Sequence, residues 1–273
     1  MKSRICQYAI TMAASLVMLF SVNQAWAGTL SAPRGLTLDA KGNLYIVNQS
    51  SNSVLVYSPG YVKTTTITEG LNLPVGVALD SFGNIYVVNN GTNSVTQYSP
   101  AGVQNTNFSI SNGINNPWGI AIDPLNDLWV SNLGSSNIVG YSLLDGGQLN
   151  TPLATLSLGV PALAVTVYGG YLEAGTTDYI LFGNTAELLV GRGFAGYGGL
   201  IEATALTNDN AGNIYEANAA GTVSGPQGTV VTVNFAVEGI AVDKTRGRVY
   251  LSNQTGNEVL VYSMQGKLLH TIK

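Results

Sequence analysis

Short apolar and polar runs alternate along most of this chain, and the same order of runs returns several times. Residues 74–98 (PVGVALDSFGNIYVVNNGTNSVTQY) show one unit, with apolar or alternating runs at 75–79, 85–88 and 94–98. Turn-forming clusters of Asp, Asn and Gly separate these runs. Runs of β-branched and aromatic residues bounded by such clusters are typical of β-strands. The unit therefore predicts three short strands joined by tight turns.

An aspartate that follows the first apolar run measures the spacing of the units. It is present in five of them, as Asp39, Asp80, Asp123, Asp209 and Asp243. The first three are 41 and 43 residues apart, and a degenerate fourth unit falls around residue 166. A period in the low forties with about four short strands is typical of a propeller blade. We predict an all-β fold, a six-bladed β-propeller of four-stranded antiparallel blades over residues 28–273.

Each aspartate opens a turn, most often of the form Asp-x-x-Gly-Asn. The carboxylate can accept backbone N–H bonds within the turn, and Gly supplies a positive φ. The third turn has Asn126 in place of Gly, and Asn also tolerates that conformation. We interpret these acids as turn formers rather than metal ligands, because each lies in its own blade. The fourth strand of each unit is less regular, and in the fourth unit we place it at residues 187–190.

The N-terminus has the features of a secretory signal peptide. Lys2 and Arg4 precede a mostly apolar stretch at residues 10–22, and Ala25-Trp26-Ala27 is a small-x-small cleavage sequence. We predict a signal peptide at 1–27 and a secreted or periplasmic protein. A retained anchor is the alternative, although this apolar stretch is short for a bilayer span. The only cysteine, Cys6, lies in this segment, so the remaining chain has no disulfide.

Charge and hydropathy argue against several partners. Without its first 27 residues the chain has nine basic and fifteen acidic residues, a net charge of −6. The charged residues are sparse and scattered along the sequence, which argues against nucleic acid or an anionic membrane surface as a partner. After residue 27 no apolar run has the length of a membrane helix, so we expect no membrane span. We expect a monomer.

Asparagine recurs at the end of the second predicted strand, as Asn48, Asn89, Asn132, Asn218 and Asn253. The fourth unit has Gly175 there, and a second asparagine follows at Asn52, Asn93, Asn137 and Asn257. One interpretation is that these side chains cap turns and loops. The other is a polar rim around one mouth of the central channel, which would bind a ligand.

One position near the start of the first predicted strand, which follows a Pro in the first four units, differs from unit to unit. It is Arg34 in the first unit, Val75 in the second, Trp118 in the third, Ala162 in the fourth and Glu238 in the last. If the loops open on one face, Arg34, Trp118 and Glu238 are neighbours around the channel mouth. Tryptophan with a few polar groups is a common way to bind a sugar or a peptide. Packing of Trp118 between blades is the alternative.

The pattern PxGxxxD…GNxYxxN…NxVxxY resembles the NHL repeat, a family of six-bladed β-propellers. The resemblance covers residues 33 to 273 and is weaker across 160–203. It implies a fold shared by gluconolactonase-like hydrolases, streptogramin lyases, amidating lyases and many binding domains, and the fold does not choose among these functions.

The catalytic parts of these relatives can be compared with this chain. The resemblance implies histidines for the lyases, and after residue 27 the chain has one histidine, His270, near its end. With one histidine and no cysteine after residue 27, the chain cannot assemble a zinc site of the usual N/S type. The same shortage argues against a Ser-His-Asp nucleophile. The gluconolactonase-like enzymes imply a calcium-type site of oxygen ligands, for which the recurring asparagines and Glu238, with Glu173 and Glu216 in or near second strands, are candidates.

These observations favour an exported, non-catalytic binding or scaffolding propeller for a protein, peptide or glycan. Its predicted ligand-binding residues are Arg34, Trp118 and Glu238 with the asparagines Asn48, Asn89, Asn132, Asn218 and Asn253. We assign no catalytic residue, metal ligand or cofactor. The alternative is a metal-dependent hydrolase or lactonase with calcium, or a lyase, of the same superfamily. The glycine-rich residues 191–199 are either a partner-contact loop or a junction within a degenerate blade.

Overall fold

In the computed structural model of this protein, residues 29–144, 150–189, 194, 196–198, 202–209 and 211–273 are described. They form six antiparallel sheets of consecutive strands, which confirms the predicted six-bladed, all-β propeller. The predicted signal peptide at 1–27 lies outside the described residues. Within the described ranges, no helix has the length and apolar character that crossing a bilayer requires.

The first three blades contain strands β1 to β11. Blade 1 has β1 to β4, at Pro33–Leu38, Leu44–Asn48, Ser53–Tyr57 and Lys63–Ile67. Blade 2 has β5 to β7, at Pro74–Leu79, Ile85–Asn89 and Ser94–Tyr98. Blade 3 has β8 to β11, at Pro117–Ile122, Asp127–Asn132, Asn137–Ser142 and Ala154–Ser157. Two 3-10 turns, Gln49–Ser51 and Asn90–Thr92, follow the second strands of blades 1 and 2.

The last three blades contain β12 to β23. Blade 4 has β12 to β14 at Ala162–Tyr168, Tyr171–Thr176 and Ile180–Asn184, then helix α1 at Thr185–Leu189 and β15 at Gly196–Gly198. Blade 5 has β16 to β19 at Ala203–Asn208, Ile214–Asn218, Thr222–Gly225 and Gly228–Thr232. Blade 6 has β20 to β23 at Val237–Asp243, Arg248–Asn253, Glu258–Ser263 and Leu268–Ile272.

Two outer strands differ from the sequence prediction. Blade 2 has three regular strands, and its fourth position holds only two isolated bridges, Val95–Ile110 and Tyr98–Gln104. In blade 4 the predicted strand at 187–190 is wrong, because Glu187 lies in α1 and β15 forms the outer strand. Outer strands lie at the rim of the disc and need little apolar patterning, so the sequence marks them weakly.

Blade 6 packs against blade 1 without exchanging a strand. Leu30, Leu36, Tyr250 and Ile272 are buried in one apolar cluster that spans the two blades. Residues 29–32, the described part of the segment before β1, form no strand with blade 6; the Ala32 N–H donates to Asn257 Oδ1 at 2.8 Å. Ring closure therefore relies on burial of apolar side chains supported by side-chain hydrogen bonds.

The alternating strand directions give the disc two distinct faces. We call one the Asn face: there the first strands begin and the second strands end, at pairs such as Pro33 and Asn48. We call the other the Asp face: it carries the aspartate turns and the turns between third and fourth strands.

The predicted chemistry of the aspartate turns is confirmed. In the first turn, Asp39 Oδ1 accepts the N–H groups of Lys41 at 2.9 Å and Asn43 at 2.8 Å. Gly42 has φ +84°, and Asn126 in the third blade has φ +61°, as its substitution for Gly predicted. Each turn thus satisfies its own carboxylate.

Candidate functional site

The first strand of every blade has a register shift of the β-bulge type close to its start. In blade 1, for example, the shift lies between Pro33 and Leu36, and in blade 6 between Val237 and Gly239. Such an irregularity redirects a side chain relative to the sheet. One residue of each shifted segment lines the central channel at the Asn face; these mouth residues are Arg34, Val75, Trp118, Leu163, Thr204 and Glu238.

The channel narrows directly behind this ring. The next layer consists of small residues, Gly35, Gly76, Gly119, Ala164, Ala205 and Gly239. A Cβ on Gly239 would lie 2.2 Å from the Arg34 carbonyl oxygen, so the inner strands approach too closely for a larger residue there. An apolar layer that includes Leu36 and Ile240 follows. The cavity volume is about 60 Å³, which holds a few water molecules. A larger ligand would bind across the mouth.

Arg34, Trp118 and Glu238 lie together at this mouth, as their sequence positions predicted. Arg34 Nη2 lies 3.4 Å from Glu238 Oε2, and the two side chains are 11% and 14% exposed. The guanidinium carbon of Arg34 lies 4.0 Å from the centroid of the Trp118 ring, within cation–π range. Arg34 therefore contacts both an anion and an aromatic face.

The polar groups of this cluster are incompletely hydrogen-bonded. Arg34 Nε and Glu238 Oε2 are buried, and neither has a hydrogen-bond partner among the described residues. The 3.4 Å contact between the side chains fits an ion pair, but its geometry does not meet that of a hydrogen bond. Burial lowers the pKa of Arg34, and the charge of Glu238 partly offsets this effect. The cluster thus contains one donor and one acceptor whose hydrogen-bonding capacity is not used within the described residues.

Sequence reasoning missed two members of the mouth, Leu163 and Thr204. The pairing of Ala162 with Thr176 places Leu163, rather than the predicted Ala162, at the mouth position of blade 4. For the same reason Thr176, rather than Gly175, is the fourth blade's equivalent of the recurring asparagine. Val75, which the sequence pattern placed at this position in the second unit, and Thr204 complete the ring. The sequence signal that could have identified every mouth residue is the small residue directly after it, at the third position of each first strand, as in Pro-Arg-Gly, Ala-Leu-Ala and Val-Glu-Gly.

The five recurring asparagines lie at the same face, but they are buried under its loops. Asn89 Oδ1 accepts the Asn72 N–H at 2.9 Å, and Asn132 Oδ1 accepts the Asn115 N–H at 2.9 Å. Asn48 makes the corresponding bond with Ser31. Asn218 and Asn253 accept N–H bonds from the turns that follow them. These contacts agree with the capping interpretation; ligand contact by the asparagines stays a prediction.

The second asparagine links neighbouring blades. Asn52 Oδ1 accepts the Leu73 N–H at 2.7 Å, Asn93 the Asn116 N–H at 2.8 Å and Asn257 the Ala32 N–H at 2.8 Å. All three asparagines have a positive φ. In blade 3 the positive φ falls on Ser136, so Asn137 is one residue out of register with them. The residue before β12 is Pro161, which has no N–H to donate.

The larger cavity lies at the Asp face between blades 5, 6 and 1, with a volume of about 500 Å³. Asp39, Asp209 and Asp243 line it, but their carboxylates already have partners. Lys244 Nζ lies 3.0 Å from Asp209, and Arg246 Nη1 lies 2.9 Å from Asp243. Among the described residues, no group of three or more His, Cys, Asp or Glu side chains is arranged to hold a metal ion.

The remaining candidates lie away from the mouth. His270 is in the outer strand β23, where its ring stacks on Tyr61 with centroids 4.1 Å apart. Glu173 and Glu216 lie in the second strands of blades 4 and 5. Burial, with the charge of Glu216, raises the pKa of Glu173 to about 7. Of these candidates, Glu238 therefore lies at the mouth, whereas Glu173, Glu216 and His270 do not.

Comparisons with known proteins reveal shared architecture. No family model and no curated protein sequence matches the chain. A streptogramin B lyase structure superposes with a TM-score of 0.63 at 13% identity, covering 90% of this chain and 84% of that chain. A catalytically inactive histidine-to-alanine variant of virginiamycin B lyase from Staphylococcus aureus, with quinupristin, gives 0.62 at 13% identity, covering 89% and 84%.

A structure of a nidogen/laminin complex also matches, with a TM-score of 0.52 at 18% identity, covering 89% of this chain and 80% of that chain. Propellers similar in shape thus include an enzyme and a protein-binding domain. At these identities the similarity shows the six-bladed propeller fold, and membership in the NHL-repeat family stays a prediction.

Proposed function

We propose that this protein is an exported, NHL-type propeller that binds a protein, peptide or glycan at the mouth on its Asn face. One observation carries the proposal: Arg34, Trp118 and Glu238 meet at the mouth, and Arg34 Nε and Glu238 Oε2 are buried there without hydrogen-bond partners among the described residues. Buried polar groups without partners are costly unless a ligand or water satisfies them. The shallow channel behind the mouth suits a group projecting from a larger ligand.

The structure also supports a role without turnover. The streptogramin-lyase-like propellers share the fold, but the single histidine of residues 28–273 lies in an outer strand and stacks on Tyr61. A base there would be remote from a ligand at the mouth. A hydrolase with calcium would instead require several oxygen ligands at the mouth, where Glu238 is the acidic member of the ring.

Glycan and peptide arrays probed with residues 28–273 test the proposal. The matched variants are Trp118→Ala, which removes the aromatic face, and the double variant Arg34→Gln/Glu238→Gln, which removes both charges while keeping polar side chains. Phe82→Ser, on the Asp face, is the control. We expect binding that falls at least tenfold in both mouth variants and is unchanged in the control. Binding that is absent, or equal in all four proteins, would overturn the proposal.

A further inference from the structure

The Asp face carries the most exposed apolar side chains of the described chain. Six large hydrophobic residues are more than half exposed, and all six lie in turns of this face or at a strand end beside such a turn: Val62 (64%), Phe82 (71%), Val103 (66%), Leu125 (69%), Leu144 (62%) and Tyr171 (54%). Apolar side chains scattered at random would occupy both faces. Apolar residues exposed singly are common on protein surfaces, but their concentration on one face distinguishes the Asp face from the Asn face.

Four of these side chains occupy repeated turn positions. Phe82 and Leu125 stand two residues after their turn aspartates, whose carboxylates accept the Phe82 N–H at 2.9 Å and the Leu125 N–H at 2.8 Å. Val62 and Val103 stand at the ends of matching turns, where their carbonyl groups accept the N–H groups of Ser58 and Ser99. The backbone bonds hold each turn, so the apolar tips are presented on rigid supports.

The same turn positions carry lysine in the adjoining part of the ring. Lys41 in blade 1 occupies the position of Phe82, and Lys267 in blade 6 occupies the position of Val103. Six of the eight basic residues in the described ranges lie on or at the edge of this face: Lys41, Lys63, Lys244, Arg246, Arg248 and Lys267. Residues that are scattered in the sequence are therefore gathered by the fold.

The acids of this face are arranged differently from its cations. The turn aspartates accept backbone N–H bonds inside the turns, and Asp123, Asp209 and Asp243 are buried. Lys41, Lys244, Arg246 and Lys267 are exposed, and Glu187 is the exposed acid among the described residues of this face. The cationic groups thus extend further toward solvent than most carboxylates.

From this arrangement we propose that the Asp face docks on the surface of a lipid bilayer that contains anionic phospholipid. The apolar tips stand on separate turns with small and polar residues between them. A fluid acyl layer accepts such separated anchors, whereas a protein partner requires continuous shape complementarity. The exposed lysines beside the tips lie where lipid phosphates would be. The mouth on the Asn face would then point away from the membrane, so this proposal is independent of the proposed function.

Vesicle co-sedimentation of residues 28–273 tests the proposal. These residues contain every described blade and exclude the apolar stretch at 10–22, which would bind lipid by itself. The vesicles are phosphatidylcholine with or without about one third phosphatidylglycerol, in about 0.1 M salt. We expect stronger binding to the anionic vesicles.

Three variants separate the contributions. Val62→Ser/Phe82→Ser/Val103→Ser/Leu125→Ser removes the tips and should weaken binding to anionic vesicles at least tenfold. Lys41→Gln/Lys267→Gln should reduce the preference for anionic vesicles by about fivefold per lysine. Leu73→Asn is the control on the Asn face, because Leu73 is 45% exposed with φ +45° and Asn suits that conformation; its binding should equal that of the unchanged protein.

A reporter shows which surface inserts. The tryptophan fluorescence of the Phe82→Trp variant should shift to the blue with vesicles and be quenched by brominated lipid. Trp118 and Trp129 of the unchanged protein give the background fluorescence. Far-UV circular dichroism confirms that each variant is folded. No vesicle binding by the unchanged protein, binding that survives loss of the four tips, or self-association through these tips without vesicle binding would each overturn the proposal.

Discussion

The guanidinium group of Arg34 covers one face of the Trp118 ring at 4.0 Å, although a whole blade separates their strands. Arg34 belongs to blade 1 and Trp118 to blade 3, so the contact crosses the position of Val75 in blade 2. The ion pair with Glu238 extends the cluster to blade 6. Three blades therefore meet through one arginine, which makes the mouth sensitive to substitution of that residue.

Arg34→Gln should lower the free energy of unfolding by about 2 kcal/mol, because it leaves Glu238 partly buried without its counter-charge. The double variant Arg34→Gln/Glu238→Gln should lose about 1 kcal/mol or less, since no unpaired charge remains. Urea denaturation of both single variants and the double variant measures the coupling. A double variant whose loss equals the sum of the single losses would show that the two charges do not interact.

The links between blades give a second expectation. Asn93→Gly keeps the positive φ but removes the bond to the Asn116 N–H, so we expect a loss of about 1 kcal/mol. Asn93→Ala should lose about 1 kcal/mol more, because alanine is strained at that φ. Ser136→Gly is the matched control: Ser136 shares the positive φ, but the residue before the first strand of the next blade is Pro161, which has no N–H to donate, so relief of strain should stabilise the protein. Equal melting temperatures for Asn93→Gly and Asn93→Ala would contradict this account.

Much of the architecture follows from local sequence signals. The aspartate turns could be predicted from the local sequence, because an Asp followed by Gly or Asn at a fixed distance specifies both the hydrogen bonds and the positive φ. The mouth residues Arg34, Trp118 and Glu238 could likewise be placed together once the repeat had been aligned. A repeat thus converts a local pattern into a spatial prediction.

Other features depend on more than the local pattern. The prolines of the first three units begin β1, β5 and β8, but Pro161 precedes β12. The predicted alignment of the fourth unit was therefore one residue out of register, and Leu163 was missed. The roles of Asn48, Asn89 and Asn132 depend on bonds to residues 17 positions earlier. The basic residues are far apart in sequence, and only alternating strand direction brings Lys41 and Lys267 to one face.

Calcium provides a test between the proposed binding role and the hydrolase alternative. We expect the melting temperature of residues 28–273 to change by no more than about 1 °C between millimolar calcium and millimolar EDTA. A site saturated about 100-fold would add about 2.7 kcal/mol, or roughly 5–10 °C for a domain of this size. A calcium-dependent increase of that size that is lost in Glu238→Gln would favour the hydrolase.

The last prediction concerns Glu173, whose side chain lies in a second strand facing the neighbouring blade. Burial and the charge of Glu216 raise its pKa from 4.5 to about 7. Its proton is therefore held more tightly in the folded than in the unfolded protein. Below pH 4.5 both states are protonated, and the contribution to stability is complete; it is lost as the pH rises towards 7.

Glu173→Gln removes this titration and should stabilise the protein at pH 8 by about 2 kcal/mol, allowing for partial solvation of the site. At pH 4 the variant and the unchanged protein should differ by less than about 0.5 kcal/mol, because glutamine resembles the protonated acid. Urea denaturation at both pH values measures the difference, with the exposed Glu69→Gln as control. A Glu173→Gln variant that parallels the unchanged protein across this range would show that Glu173 ionises freely, and that blades 4 and 5 place no charge-sensitive contact between their second strands.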